Sequence, residues 1–215
     1  RITTGLEALG VHTDFVPISG ETRTNVSIVD QNHTRYVKVN EAGPTITADE
    51  GAALLQKIRG LAQARDWWVL SGSLPPGVAA ALYADVVQIV QSAGAYVLLD
   101  ASGVALRHGC EAGPFLAKPN AVEAGELVGQ QVTSLQDALA VVDPVHRLGV
   151  KHLLLSLGKD GALFSDGQQC WLARPPQVEE RNPIGAGDAM VAGLVWGLCQ
   201  AWPWPDVLRW GVASG

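Results

Sequence analysis

Cysteine is scarce in this chain. Cys110, Cys170 and Cys199 are the only three in 215 residues. They are too few and too far apart for a disulfide framework or a thiolate metal site, and they read as reduced core thiols of a cytoplasmic protein. Positive charge is also limited: 15 Lys and Arg face 21 Asp and Glu, a net charge of −6 with no basic block. Nucleic acid is therefore not expected as a partner, because binding its backbone needs clustered cations. No apolar run reaches the roughly 18 residues of a membrane span, so no membrane partner is expected either. No secretory leader is read at the start. The five histidines (His12, His33, His108, His146, His152) show no paired metal spacing, and the seven tryptophans are scattered. Neither set is assigned a function, although Trp202-Pro203-Trp204 is expected to pack a helix-to-helix turn. Two phosphate fingerprints are missing as well. There is no G-x-x-x-x-G-K-[ST], and no G-x-G-x-x-G follows a strand, which disfavours a nicotinamide dehydrogenase. Internal repeats, low-complexity tracts and long linkers are absent.

The rest of the composition is that of an ordinary globular protein, 47% hydrophobic and 17% charged. The length suffices for one sizeable core, or a core with a small accessory unit. Residues 1–10 read as the tail of a helix stopped at Gly10. Strand-like runs over 13–19, 22–30 and 34–40 predict a small β-meander, broken at Ser19-Gly20-Glu21 and Gln31-Asn32-His33. After Gly43-Pro44, strands alternate with helices. Helices are predicted over 48–64 (capped by Thr47 or Asp49), 79–93, 104–110, 121–128, 134–148, 189–200 and 205–213. Strands are predicted over 67–70, 95–99, 115–118 and 152–157, the last a near-continuous apolar run suited to burial on both faces. Asp166-Gly167 marks a hairpin between 162–165 and 168–172. This alternation predicts an α/β fold with a mostly parallel sheet and helices on both faces. Ligands bind such sheets at the carboxyl ends of strands, and polar motifs follow Leu70, Leu99, Leu116-Ala117 and Leu155 there.

The chain is organised around Asn182-Pro183-Ile184-Gly185-Ala186-Gly187-Asp188-Ala189-Met190-Val191-Ala192-Gly193, a glycine-rich turn entering an apolar helix. The glycines permit positive φ and a close approach to a ligand. The free amides and dipole of the helix N-terminus form an anion site suited to phosphate. Asp188 in such a cradle makes sense if it faces the hydroxyl that attacks the phosphate. A helix cap explains it as well, and the stretch alone leaves both readings open. In Lys118-Pro119-Asn120-Ala121-Val122-Glu123, Asn120 and Glu123 share the first turn of a helix. They suit a hydrated Mg²⁺, or equally a capping box. Ser156-Leu157-Gly158-Lys159-Asp160-Gly161 reads as a nucleotide-site turn or a plain hairpin. Gly72-Ser73-Leu74-Pro75-Pro76-Gly77 is a rigid loop able to present Ser73 to a sugar, or a simple connector. Arg23, in Thr22-Arg23-Thr24-Asn25, suits bidentate phosphate binding, or is merely solvated.

Taken in this order, the motifs resemble the ribokinase-like, PfkB-type carbohydrate kinases. Within them the match is to the branch of 1-phosphofructokinases, tagatose-6-phosphate kinases and minor 6-phosphofructokinases. Gly185-Ala186-Gly187-Asp188 looks like that family's C-terminal signature. Pro183-Ile184 departs from its usual small polar residue and Val, and Ala189 from a common Ser or Thr. The resemblance implies a ribokinase-like three-layer sandwich over 46–215, with 11–45 as part of a small β-sheet lid and 1–10 a remnant of a core helix. It implies ATP-dependent phosphorylation of a phosphorylated ketohexose, with ATP, Mg²⁺ and a monovalent cation such as K⁺. Asp188 would be the base, and the amides of Gly185, Ala186 and Gly187 the anion hole. Asn120 and Glu123 would position Mg²⁺ through water. Lys118 would lie near the nucleotide phosphates, and Asn120, Ser156, Gly158, Lys159 and Gly161 would line the ATP site. Arg23 would hold the sugar's phosphate, with Ser73 near the sugar. A homodimer through the lid is a further expectation. The chain opens on Arg1 within a helical pattern and closes on Ala213-Ser214-Gly215 directly after another, so both ends read as cut. The missing parts would supply a first core strand, a sugar-binding Asp, a Gly-Gly loop and the closure of the adenine and monovalent-cation sites. The alternatives are a kinase of an unphosphorylated sugar or nucleoside, or an inactive nucleotide-binding fragment.

Overall fold

The computed structural model describes residues 2–29, 36–176 and 184–215. In chain order the elements are α1 (Ile2–Ala8), β1 (Asn25–Val29), β2 (Tyr36–Asn40), α2 (Ala48–Leu61), β3 (Trp67–Ser71), α3 (Leu82–Ser92), β4 (Tyr96–Asp100), α4 (Gly103–Glu111), β5 (Leu116–Ala117), α5 (Ala121–Val128), α6 (Leu135–Ala140), α7 (Val142–His146), β6 (His152–Ser156), β7 (Ala162–Ser165), β8 (Cys170–Ala173), α8 (Ala186–Cys199) and α9 (Trp204–Ser214). β3 to β8 form one six-stranded sheet in sequential order. The pairs from β3 to β6 are parallel, and β7 and β8 return antiparallel.

Successive side chains on a strand point to opposite faces, and here both faces are apolar. Leu98, Leu116, Leu154 and Phe164 pack against Val191 and Leu194 of α8 and Val207, Leu208 and Val212 of α9. Their neighbours Val97, Leu99, Ala117, Leu153, Leu155 and Leu163 face the other way, with Ile58, Val86, Val87, Leu106, Ala124 and Val145 from the helices α2 to α7. The product is the three-layer sandwich. Each fully buried leucine stabilises it by about 2 kcal/mol.

Caps read from the sequence close the helices. Thr47 caps α2 in a capping box with Glu50, and Ser134 caps α6 with Asp137. The single helix expected over 134–148 is instead two, broken at Val141. Pro144 has no amide to offer the carbonyl of Ala140, and a proline is tolerated only in the first turn of a helix, its place in α7. The expected strand over 13–19 is also absent. Pro17 lacks a donor there, and the segment is tied to α2 by side chains instead. Lys57 pairs with Asp14 and donates to the carbonyl of Phe15 at 2.9 Å, and Ser19 N donates to Glu50 at 2.6 Å. The described part of the meander is thus the ribbon β1–β2, in which Val26 faces Val39 and Ile28 faces Val37. The turn at 31–33 lies outside the described residues. Of the three cysteines only Cys110 is a core thiol, its pKa pushed up to about 12 by burial; Cys170, on the outermost strand, and Cys199, ending α8, are exposed.

At the amino ends of the parallel strands the rings of Trp67, Tyr96, Phe115 and His152 lie in a row, at 4.8, 5.1 and 4.4 Å between neighbouring centroids. Trp204 stacks on Phe164 at 4.3 Å and reaches His152 at 4.6 Å, which pins α9 to the sheet. Trp202 meets Trp210 edge-on, so the Trp-Pro-Trp turn packs as expected. His152 Nδ1–H donates to the carbonyl of Phe115 at 2.8 Å. Burial holds its pKa below the ordinary imidazole value. The unfolded chain therefore binds a proton at His152 that the folded chain refuses. The related stability is present above the unfolded-state value of about 6.5 and is lost as pH falls below it. We expect melting temperature to fall between about pH 7.5 and pH 5, and to fall less in His152→Asn, as thermal melts across that range would show.

Candidate active site

The register of the parallel strands sets the site. Leu99 pairs with Ala117 and Ser71 with Asp100, so the residues leaving β3, β4 and β5 emerge side by side at the carboxyl edge. Gly72 N donates to Asp100 O at 3.1 Å and Lys118 N to Leu99 O at 2.9 Å. At the end of β6, Ser156 N donates to Pro119 O at 3.0 Å, and Ser156 bridges to Asn120. Two motifs far apart in sequence thereby meet.

Lys118 is 5% exposed. A buried ammonium needs a partner, and Nζ lies 3.0 Å from Asp100 Oδ1. Burial raises the Asp100 carboxyl above the usual range; the Lys118 ammonium pulls it back, and the charge of Asp188 adds to the rise. Glu123 is raised in the same way, first by burial, with the charge of Asp100 adding to it. Its Oε2 accepts from Asn120 N at 2.8 Å, while Asn120 Oδ1 accepts from Glu123 N at 2.9 Å. The capping box is therefore formed. It engages one oxygen of each side chain on the same turn that was read as a magnesium position. Among the described residues no three His, Cys, Asp or Glu side chains gather closely enough to hold a metal directly. The chemistry of this edge, an amide beside a carboxylate raised by burial and by the charge of Asp100, fits a cation held through water.

Gly185 stands at the N-cap before α8 at φ +84°, a conformation that only glycine adopts without strain, and it has no side chain to cap the helix. Gly187 is helical and lies beside the lysine: a Cβ there would stand 3.5 Å from Lys118 Nζ, an ordinary contact. The first amides of α8 and the buried ammonium of Lys118 thus converge on one place. Asp188 is not the cap residue. It is exposed in the first turn and lines an open groove of about 500 Å³ with Val69, Ser71 and Trp196. Asn182 and Pro183 lie outside the described residues.

Arg23 and Ser73, predicted separately, are hydrogen-bonded, Nη1 to Oγ at 3.1 Å. Tyr83 steadies that loop, its hydroxyl donating to the carbonyls of Gly72 (2.9 Å) and Ser71 (3.1 Å). The Gly158–Asp160 turn closes the β6–β7 hairpin, with Leu157 N donating to Gly161 O at 2.8 Å. Gly161 is at φ +94°, and a Cβ would come within 2.0 Å of Ala173 O, so hairpin geometry accounts for it. Gly158 and Lys159 are exposed on this turn. Asp100 and Tyr83 went unassigned in the sequence. An acid closing a strand at the carboxyl edge was the available signal for Asp100; Tyr83 left none, lying in a helix some ten residues from the loop it holds.

Phosphofructokinase-2 from Escherichia coli, solved in complex with fructose-6-phosphate, superposes with a TM-score of 0.89 at 28% identity, over 98% of this chain and 69% of that one. The fold is that of the ribokinase-like sugar kinases. The sequence is 34% identical over 214 residues to the 1-phosphofructokinase of Bacillus subtilis, covering 100% of this chain and 69% of that protein. It is 33% identical over 207 residues to that of Vibrio cholerae, covering 96% and 65%. The description "pfkB family carbohydrate kinase" matches residues 1–215, and the chain belongs to that family. It spans about two thirds of the length of these curated relatives.

Gly161→Ala is expected to lower stability by on the order of 3 kcal/mol through strain at positive φ and the backbone clash. A urea midpoint equal to that of the unaltered protein would contradict this.

Proposed function

We propose that the whole protein transfers the γ-phosphoryl group of ATP to a hydroxyl of a phosphorylated ketohexose: fructose 1-phosphate, tagatose 6-phosphate or fructose 6-phosphate, giving the bisphosphate. The observation that carries this reading is the convergence of the α8 N-terminus, with Asp188 in its first turn, on the buried ammonium of Lys118. A dipole end and a fixed cation suit an anion that gains charge, and phosphoryl transfer asks a protein chiefly for positioning and charge stabilisation. The name borne by the relatives supports fructose 1-phosphate among the three.

In this reading the sugar hydroxyl oxygen bonds to the γ-phosphorus as the bond to the ADP oxygen breaks, and the hydroxyl proton passes to the Asp188 carboxylate. The amides of Gly185, Ala186 and Gly187 bind the transferring phosphoryl oxygens, and Lys118 meets the nucleotide phosphates. Ser156, Gly158, Lys159 and Gly161 border the nucleotide, beside Asn120. Arg23 holds the sugar's own phosphate, and Ser73, already bonded to it, meets the sugar. Asn120 and Glu123 would hold Mg²⁺ through water, and the charge it supplies offsets that of the phosphates. A K⁺ requirement rests on likeness to the Escherichia coli phosphofructokinase-2 solved with potassium. A cytoplasmic location accords with these substrates; among the described residues no helix is long and apolar enough to cross a membrane.

ADP release by the full-length gene product, with Mg-ATP and each of the three sugar phosphates or fructose, tests this. Asp188→Asn should cut kcat on the order of 10²–10⁴-fold. Arg23→Ala should raise KM for the sugar phosphate while sparing KM for ATP. Turnover that survives Asp188→Asn would remove the base assignment, and turnover of fructose alone would remove the role of Arg23.

We further propose that β1 and β2 pair two subunits as a lid. Val26, Ile28, Val37 and Val39 form one apolar ribbon face, each between 47% and 60% exposed, an area that water disfavours leaving open. Ile28→Asp should shift the sedimentation coefficient of the full-length protein from dimer to monomer; an unchanged value would exclude this interface.

A further inference from the structure

Asp100 has no part in the transfer just described, yet it touches both halves of the site. Its carboxylate holds Lys118 Nζ at 3.0 Å. Its carbonyl accepts from Gly72 N at 3.1 Å, in the loop where Ser73 Oγ accepts from Arg23. Tyr83 clamps the same loop through the carbonyls of Ser71 and Gly72. Lys118 follows a two-residue strand, is 5% exposed, and its ammonium lies 3.5 Å from where a Gly187 Cβ would be. A lysine side chain has four rotatable bonds and a compact, strongly hydrated charge, so nothing in its own chemistry fixes its direction. The carboxylate of Asp100 supplies that direction. Without it the ammonium would turn toward water, away from the amides of α8.

We infer that Asp100 is a positioning residue for the nucleotide half of the reaction. Its side chain aims the Lys118 ammonium at the phosphate cradle before any ligand arrives, and its main chain ties that element to the loop carrying Ser73. The inference rests on the proposed function for the identity of the anion, a nucleotide phosphate.

The two contacts separate in experiment, because substitution of the side chain leaves the Asp100 carbonyl in place. In the full-length protein, Asp100→Asn should weaken ATP binding and lower kcat/KM for ATP on the order of 10–100-fold, the usual cost of losing a group that orients a ligand-binding one. KM for the sugar phosphate should stay within about twofold, since the Gly72 bond is to the backbone. Asp100→Glu should recover part of the loss by restoring a carboxylate. In a Lys118→Met background, Asp100→Asn should cost nothing further, since there is no ammonium left to aim. Melting curves identify variants that fail to fold, and Asp100→Glu with Lys118→Met then carry the test. An equal rise in both KM values, or a full additional loss in the Lys118→Met background, would overturn the inference. ATP binding by calorimetry separates the two proposals. Wild-type protein that binds ATP but turns over no sugar phosphate refutes the proposed function alone, and the inference then stands or falls on whether Asp100→Asn weakens that binding.

Discussion

The Lys118–Asp100 ion pair is the constraint around which the carboxyl edge of the sheet is arranged. A lysine that is 5% exposed has exchanged most of its water for protein. Removing that water costs several kcal/mol per ion, and only close, well-oriented opposite charge offsets it. The geometry that provides this comes from the strands. Pairing of Leu99 with Ala117 sets Asp100 and Lys118 on adjacent strand ends, and both strands are immobilised by fully buried side chains on each face, Leu98 and Leu99 in β4 and Leu116 and Ala117 in β5. The polar edge is held in place by the apolar middle.

The two ends of the sheet carry different loads. At the amino ends a row of rings from Trp67 to His152 packs with Trp204 and Phe164, which fixes α9 and, through α9, its neighbour α8. At the carboxyl ends the side chains are short, charged or absent, and backbone groups approach one another. α8 connects the two. Its apolar positions Val191 and Leu194 enter the core, while its first turn, freed by Gly185 at positive φ, opens beside Lys118. An apolar helix docked firmly at one end can hold its N-terminal amides still at the other, as electrostatic preorganisation requires.

Much of the carboxyl edge was legible before the structure because its motifs are local. Glycines before an apolar helix, an Asn with a Glu three residues on, and polar residues after apolar strands are short-range patterns with short-range causes. The patterns that misled were also local. The run at 13–19 has strand-like composition, yet among the described residues no neighbouring strand takes its amides, and Pro17 removes one of them. The helix expected over 134–148 has an unbroken apolar period, and one proline divides it. The cysteines look uniformly core-like in composition, but Cys170 and Cys199 sit on an outer strand and a helix end, positions that composition does not encode.

Sequence by itself determined the class of fold, the order of elements, the capped helix starts and most of the residues at the carboxyl edge, because each follows from periodicity and neighbours within one turn or strand. Only the tertiary structure decided which of those residues touch. Arg23 and Ser73 are 50 positions apart and share a hydrogen bond. Tyr83 reaches back to the loop before its own helix. Asp100 finds Lys118 across a strand pair. These contacts depend on register between strands and on where α8 lands, quantities set by the packing of the whole core and carried by no single stretch of chain.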